Sequence, residues 1–191
     1  MEAVLLVIAG VAVVAAIALL LTYNRFVRLR NLIDESWHDI DTELQRRYDL
    51  IPNLVETVKG YAAHERDVFE SVTTLRTQAM AERRAPDAQA PIEQALGQGV
   101  AQVMAVAENY PDLKASEEFL ALQHELVDTE DRIQVARRIY NANVRSYNTM
   151  VQSFPSMIIA SSFHYEARPF FEVDRAVHEA GPPSVDLTGQ T

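Results

Sequence analysis

The amino-acid sequence predicts an all-α protein: an N-terminal transmembrane helix that continues into an antiparallel, up-down four-helix bundle with long helices. Three observations carry this expectation. From Ala3 to Leu21 every residue is apolar or glycine. Beyond that run, apolar residues recur at three- and four-residue steps, the spacing that gathers them on one face of a helix. No alternating apolar stretch of convincing length marks a strand.

The apolar run would extend about 28 Å as a helix, close to a hydrocarbon core about 30 Å thick. Met1 and Glu2 provide no positively charged leader, and the run is longer than the apolar core of a signal peptide. No cysteine exists for a lipoprotein linkage, so a retained anchor bounded by Ala3 and Leu21 is expected. Arg25, Arg28 and Arg30 follow the span and no Lys or Arg precedes it. The positive-inside rule therefore places the short amino terminus outside and everything after the span in the cytoplasm. Tyr23, aromatic with a polar tip, suits the membrane interface.

Phe26, Leu29, Ile33, Trp37, Ile40 and Leu44 form one apolar face, extending the first helix to about Tyr48. Asp49 is a candidate cap, and Pro52 fits a first helical turn, where its missing N–H would be unsatisfied anyway. A second helix then carries Leu54, Val58, Tyr61, Ala62, Val68, Val72, Leu75 and Ala79, with Gly60 inside it, where a close helix crossing would explain a residue of low helix propensity. Glu82 to Pro91 reads as a loop. A shorter third helix runs from about Ile92 to Glu108, weakened by Gly97 and Gly99, and ends at Tyr110 and Pro111. Ser116 followed by Glu117 and Glu118 supplies a cap and two acids for the positive end of a helix dipole.

The fourth helix is the best specified. Leu126, Ile133, Tyr140, Tyr147 and Phe154 recur every seven residues, with Leu122, Ala136, Val144 and Val151 between them, a bundle or coiled-coil seam. Four helices with short connections favour antiparallel neighbours. That topology returns Phe154 and the apolar residues after it, Met157 to Phe171, to the bilayer end, beside the anchor.

The strings RRYDLIPNLVETVKGYAAHE (Arg46 to Glu65), YNRFVRLRN (Tyr23 to Asn31), YPDLKASEEFLALQHEL (Tyr110 to Leu126), ARRIYNANVRSYNTMVQSFPSMIIA (Ala136 to Ala160) and FFEV (Phe170 to Val173) together resemble the LemA family of bacterial membrane-anchored proteins. The resemblance spans Tyr23 to Val173, and the stretch after Val173 departs from it. It implies an N-terminal anchor followed by a helical bundle and carries over no catalytic residue. It also implies a link to envelope maintenance and membrane-protein quality control, with a membrane protein such as a protease as partner. The expected organisation is an anchor over 1–22, a bundle over 23–173 and a flexible tail over 174–191.

Composition excludes several functions. A formal charge of −10 argues against nucleic-acid binding, which needs clustered Lys and Arg, and Arg83 with Arg84 reads as a solvated pair. The absence of cysteine removes disulfides, thiolate nucleophiles and cysteine metal sites together. A di-iron bundle site uses two Glu-x-x-His pairs; Glu35 to His38 is one, and no second exists. His124 and Glu125 do not open a zinc-protease motif, because Asp128 stands where the second histidine belongs. There is neither a G-x-S-x-G turn nor a phosphate-binding glycine loop.

No catalytic, metal or cofactor residue is therefore assigned, and no enzyme is expected. Y-N-x-x-V occurs three times, at Tyr23, Tyr140 and Tyr147, placing Tyr and Val on one helical face with Asn beside the seam. Tyr23, Asn24, Tyr140, Asn141, Tyr147, Asn148 and Phe154 are the candidate seam or interaction residues. Asn24, Asn141 and Asn148 could meet near the membrane and help helices associate. Asp128, Glu130, Asp131 and Arg132 interrupt the stripe of the fourth helix, with Arg46, Arg47, Arg137 and Arg138 as candidate partners.

The function these features favour is a membrane-anchored scaffold or adaptor at the cytoplasmic face of a bacterial inner membrane, in contact with lipid, self-associating and without cofactor. A lipid- or small-molecule-binding bundle is the alternative, and a metal-dependent enzyme has least support.

Overall fold

In the computed structural model, which describes residues 1–82 and 85–172, the described residues form helices and connecting turns with no strand. Arg83, Arg84, Val173 and the segment 174–191 lie outside the described residues. The helices are α1 (Glu2–Lys59), α2 (Arg66–Ala81), α3 (Pro86–Glu108), α4 (Pro111–Lys114), α5 (Glu117–Gln152) and α6 (Ser156–Ser162). The chain divides into two units. One combines Met1–Leu50 with Gln123–Phe170; the other contains Ile51–Leu122 and the end of the described chain, Phe171 and Glu172.

Within the first unit, α1 changes character along its length. All residues from Met1 to Leu21 are exposed, and α1 is long and apolar enough to cross a membrane. From Phe26 onward the helix buries a stripe instead: Phe26, Ile33, Ile40 and Leu44 are at most 3% exposed. Their partners are on α5. Phe26 meets Tyr147, Trp37 meets Tyr140, and Arg47 meets Glu130. Rising numbers on α1 match falling numbers on α5, so the two helices run antiparallel. The buried face of α5 is Leu126, Ile133, Ala136, Tyr140, Val144 and Tyr147.

The heptad series stops short of Phe154. Helix α5 ends at Gln152, the chain turns through Ser153 to Pro155, and Phe154 is 79% exposed. A seam position exists only while the backbone keeps its helical phase, and two residues outside the helix that phase is gone.

The sequence-based boundary near Tyr48 is also corrected. Helix α1 runs through Asp49 and Pro52 to Lys59. Pro52 forfeits the bond its N–H would make to the Tyr48 carbonyl, a cost of about 3 kcal/mol inside a helix. Four residues around it, Leu50, Ile51, Leu54 and Val58, are buried; burial of side chains of this size is worth about 1.5–3 kcal/mol each. That sum outweighs one lost bond and one ring clash, so the helix continues.

In the second unit, Gly60 lies just beyond α1, not inside a helix. Its N–H donates to Glu56 and those of Tyr61 and Ala62 to Val58, closing the helix before α2 begins at Arg66. Helix α3 starts at Pro86 rather than near Ile92, with Pro91 inside it. Pro86 occupies the first turn, where a proline costs nothing, and burial of Gln89, Ala90, Glu93 and Leu96 on either side of Pro91 holds the helix through it. The close helix crossing falls at Gly99: a Cβ there would stand 3.4 Å from both Leu75 Cδ1 and Val72 Cγ2, so α3 presses its backbone against α2. Buried beside these apolar residues on α3 are Gln89 and Glu93, where the Gln89 amide donates to the Glu93 carboxylate at 3.0 Å.

Ser116 caps α5 as its hydroxyl accepts from the Phe119 N–H at 3.2 Å. The helix spans 36 residues, Glu117–Gln152; its start is the one expected from the Ser116 cap, and its end falls two residues short of Phe154.

Candidate functional site

The residues with the most specific contacts gather in the first unit, where α1 leaves its apolar run. Tyr23 is two residues past Leu21, and its ring centroid lies 5.1 Å from that of Phe163 and 6.4 Å from that of Tyr165. One turn on, the buried Phe26 stacks on Tyr165 at 4.8 Å and meets Tyr147 edge-on at 5.9 Å. The residues after α6 thus fold back against the first turns following the apolar span. Edge-on and offset contacts of this kind add about 0.5–1.5 kcal/mol per pair beyond burial.

Two side chains of α5 hold the returning segment by its backbone. The Asn148 amide donates to the Arg168 carbonyl at 2.9 Å, and its oxygen accepts from the Arg168 N–H at 2.8 Å. The Tyr140 hydroxyl donates to the Pro169 carbonyl at 3.0 Å. Asn148 was expected to bond across a helix pair; it clamps an extended segment instead. Asn143 crosses to α1, donating to the Leu32 carbonyl at 3.2 Å and to the Ser36 hydroxyl at 3.3 Å. Sequence reasoning passed over this pair. Its one available signal was Ser36, a small polar residue interrupting the stripe between Ile33 and Ile40.

The turn that redirects the chain is a helix C-cap. The Tyr165 N–H donates to Ala160 and that of His164 to Ser161, the paired bonds of a Schellman motif. His164 takes the left-handed position with φ 56°, where glycine is the usual occupant because it has no Cβ to clash.

An open cavity of about 390 Å³ lies beside this turn, lined by Arg30, Tyr147, His164, Tyr165, Glu166 and Arg168. Burial raises the Tyr147 phenol above its ordinary value of 10.0, while the guanidiniums of Arg168 and Arg30 pull the other way. Tyr165 is raised as well, first by burial and then by the neighbouring Tyr23. Both are neutral donors and acceptors at physiological pH.

The other sequence-based candidates are placed as follows. Asn24, Arg25 and Arg28 are exposed and, with Leu21, Leu29 and Leu32, line a shallow hollow on α1. Ala3 is exposed near the start of α1, and Asn141 is half-buried on α5. Of the charges interrupting the α5 stripe, Glu130 accepts from Arg47 at 2.8 Å; Arg47 is 3% exposed and Glu130 38%. Farther along this pair, an open groove of about 400 Å³ runs between α1 and α5, with Val135 and Ile139 on its wall and Asp39, Glu43, Asp131 and Arg132 at its edges. Among the described residues, no three of His, Asp and Glu converge as metal ligands.

A family model described as the LemA family matches residues 36–187. The match begins and ends later than Tyr23 to Val173, and so takes in most of the stretch after Val173 that had been set apart. Magnetosome protein MamQ 2 of Paramagnetospirillum magneticum is 27% identical over 194 residues, covering 88% of this chain and 71% of that protein. MamQ of Magnetospirillum gryphiswaldense is 26% identical over 177 residues, covering 79% of this chain and 65% of that protein. Protein LemA of Metamycoplasma hominis is 26% identical over 141 residues, covering 72% and 63% respectively. None of these descriptions names a reaction.

Proposed function

The chain belongs to the LemA family, and from that membership we propose that it is a membrane-anchored, non-enzymatic scaffold or adaptor. The observation that carries this reading is the continuity of α1. One helix presents a fully exposed apolar run and then, without a break, the buried stripe that packs on α5. A helix that exposes every Leu, Ile and Val over such a length is stable only in an apolar medium. Bilayer lipid is that medium, and Arg25, Arg28 and Arg30 orient the folded part toward the cytoplasmic face of the inner membrane.

The remainder of the proposal concerns partners. Confinement to a membrane raises effective concentration and favours self-association, and α5 leaves Leu120, Val127, Val135 and Ile139 about half exposed. Family resemblance extends the reading to envelope or membrane-protein quality control beside a membrane partner such as a protease. In-cell photo-crosslinking from Val127, Val135 and Ile139 of the full-length chain, followed by mass spectrometry, tests it. Crosslinks to itself or to a defined membrane protein are expected. Their absence, with a control bait working, would sink the scaffold reading.

A second reading, a lipid-binding bundle, is favoured by one observation: the cavity lined by Arg30, Arg168, His164 and Glu166 beside the rings of Tyr23, Phe26, Phe163 and Tyr165.

A further inference from the structure

We infer that the cavity bounded by Arg30, His164 and Arg168 binds the phosphate of an anionic phospholipid headgroup. The inference rests on the membrane-anchored reading, and four features of the first unit support it independently.

The first is size. At about 390 Å³ the cavity falls within the range of sites that hold small ligands, roughly 300–1,000 Å³, ample for a phosphodiester and its polar substituent.

The second is charge. Two arginines, Arg30 and Arg168, line the cavity with His164 and one carboxylate residue, Glu166, in a chain whose formal charge is −10. The cationic bias is local and runs against the composition. Guanidinium forks match phosphate oxygens in pairs, which a lone ammonium cannot do. The Arg168 guanidinium lies near enough to the Tyr147 phenol to pull its pKa down, and the Arg168 backbone is clamped by Asn148. One arm of the site is therefore held in place before any ligand arrives, which lowers the ordering cost of binding.

The third is position. The ring contacts of Tyr23 with Phe163 and Tyr165 set the cavity next to the residues that follow Leu21, at the depth where headgroups lie if Ala3 to Leu21 spans the bilayer. Exposed Phe154, Met157, Ile158 and Phe163 cluster on the same turn and helix, offering an apolar surface to acyl chains.

The fourth is the residue at the left-handed cap. Glycine would fill it without strain, and a side chain there carries a conformational cost. His164 occupies it instead and is one of the residues lining the cavity, a position that offers a ring able to donate to phosphate.

The test uses the full chain. Flotation with phosphatidylcholine vesicles first establishes membrane insertion; failure to float overturns the anchored reading and this one with it. The protein is then transferred to nanodiscs of mixed phosphatidylglycerol and phosphatidylcholine, released, and examined by native mass spectrometry for retained lipid. Preferential retention of phosphatidylglycerol is expected, falling about tenfold in Arg30→Gln/Arg168→Gln through loss of charge-assisted hydrogen bonds. Arg25→Gln/Arg28→Gln, which alters exposed charge on α1 outside the cavity lining, is expected to leave it within about twofold. His164→Gly is expected to weaken retention while raising the unfolding temperature, because glycine suits the left-handed position; a loss there cannot be assigned to misfolding. Equal loss from both arginine pairs would mean diffuse attraction and overturn the site. Insertion without preference for phosphatidylglycerol overturns it too. Displacement of the lipid by millimolar inorganic phosphate would make free phosphate the ligand and overturn the assignment to lipid.

Discussion

Helices α1 and α5 in the first unit and helices α2 and α3 in the second both pack as pairs, by different means. The α1/α5 pair is held by individually addressed groups: rings at Phe26, Trp37, Tyr140 and Tyr147, the Asn143 bridge to Ser36, and the Arg47–Glu130 ion pair. The α2/α3 pair brings its backbones close, with Gly99 against Val72 and Leu75, and buries the bonded polar side chains Gln89 and Glu93 on α3. Side-chain addresses set register and direction, since each donor fits one acceptor. Backbone proximity sets distance alone. The candidate site forms at the end of the first pair, where Tyr23 and Phe26 meet Phe163 and Tyr165.

Phe26→Ala should produce the largest break in this contrast. It empties a fully buried position that meets two aromatic rings, at an expected cost of about 3–5 kcal/mol, read by thermal unfolding in detergent. Limited proteolysis should also show earlier cleavage near Arg168, because Tyr165 loses its stacking partner. If the unfolding midpoint hardly moves, the aromatic collar is not what fixes the α1/α5 pair.

Glu130→Gln comes next. Arg47 is buried while Glu130 is partly exposed, so the cost should be about 2 kcal/mol, between the 0–1 of exposed pairs and the 3–5 of a broken buried pair. Asn148→Ala removes both bonds to the Arg168 backbone and should cost about 1–2 kcal/mol. Its sharper readout is hydrogen exchange at the Arg168 amide, expected to accelerate while amides in α2 and α3 stay unchanged. Spread of that acceleration into α3 would show the two pairs to be less independent than their contacts imply.

Alkaline titration gives a smaller effect. The folded Tyr147 phenol has a raised pKa, so its contribution to stability is fully present below the ordinary value of 10.0 and is lost as pH rises through the folded value. The urea midpoint should fall above pH 10 and fall less in Tyr147→Phe. Smallest of all is Gly99→Ala. The gain in helix propensity, about 1 kcal/mol, is offset by a methyl at 3.4 Å from two side chains, so the net change should stay within about 0.5 kcal/mol. Gly99→Leu should cost several times more, since a large side chain would have to part the two helices.

The candidate site was legible only in part. Tyr23, Tyr140, Tyr147 and Asn148 stood out through their repeated motif, and each proved to touch the returning segment or its aromatic collar, Tyr23 and Tyr147 through rings and Tyr140 and Asn148 through hydrogen bonds. Arg168 and His164 did not stand out, because nothing periodic marks a residue in an extended segment or a helix cap. Phe154 does not hold the seam position its spacing suggested, because seven-residue spacing from Tyr147 has structural meaning only inside a helix that has already ended.

What the sequence determined by itself is what local physics decides. The apolar run needs no partner in the chain to identify it, since its character is the sum of its own transfer free energies. The start of α5 follows from a serine cap and its helical character from a stripe repeated over many turns, where each residue adds to the same sum. Tertiary structure decided the remainder, wherever a local penalty met a non-local gain. Pro52 ends a helix by its own chemistry, yet the burial of Leu50, Ile51, Leu54 and Val58 carries α1 through it. His164 disfavours the left-handed turn it occupies, and the contacts of Phe163 and Tyr165 hold it there. These outcomes depend on which distant surfaces meet, information that spacing along the chain does not contain.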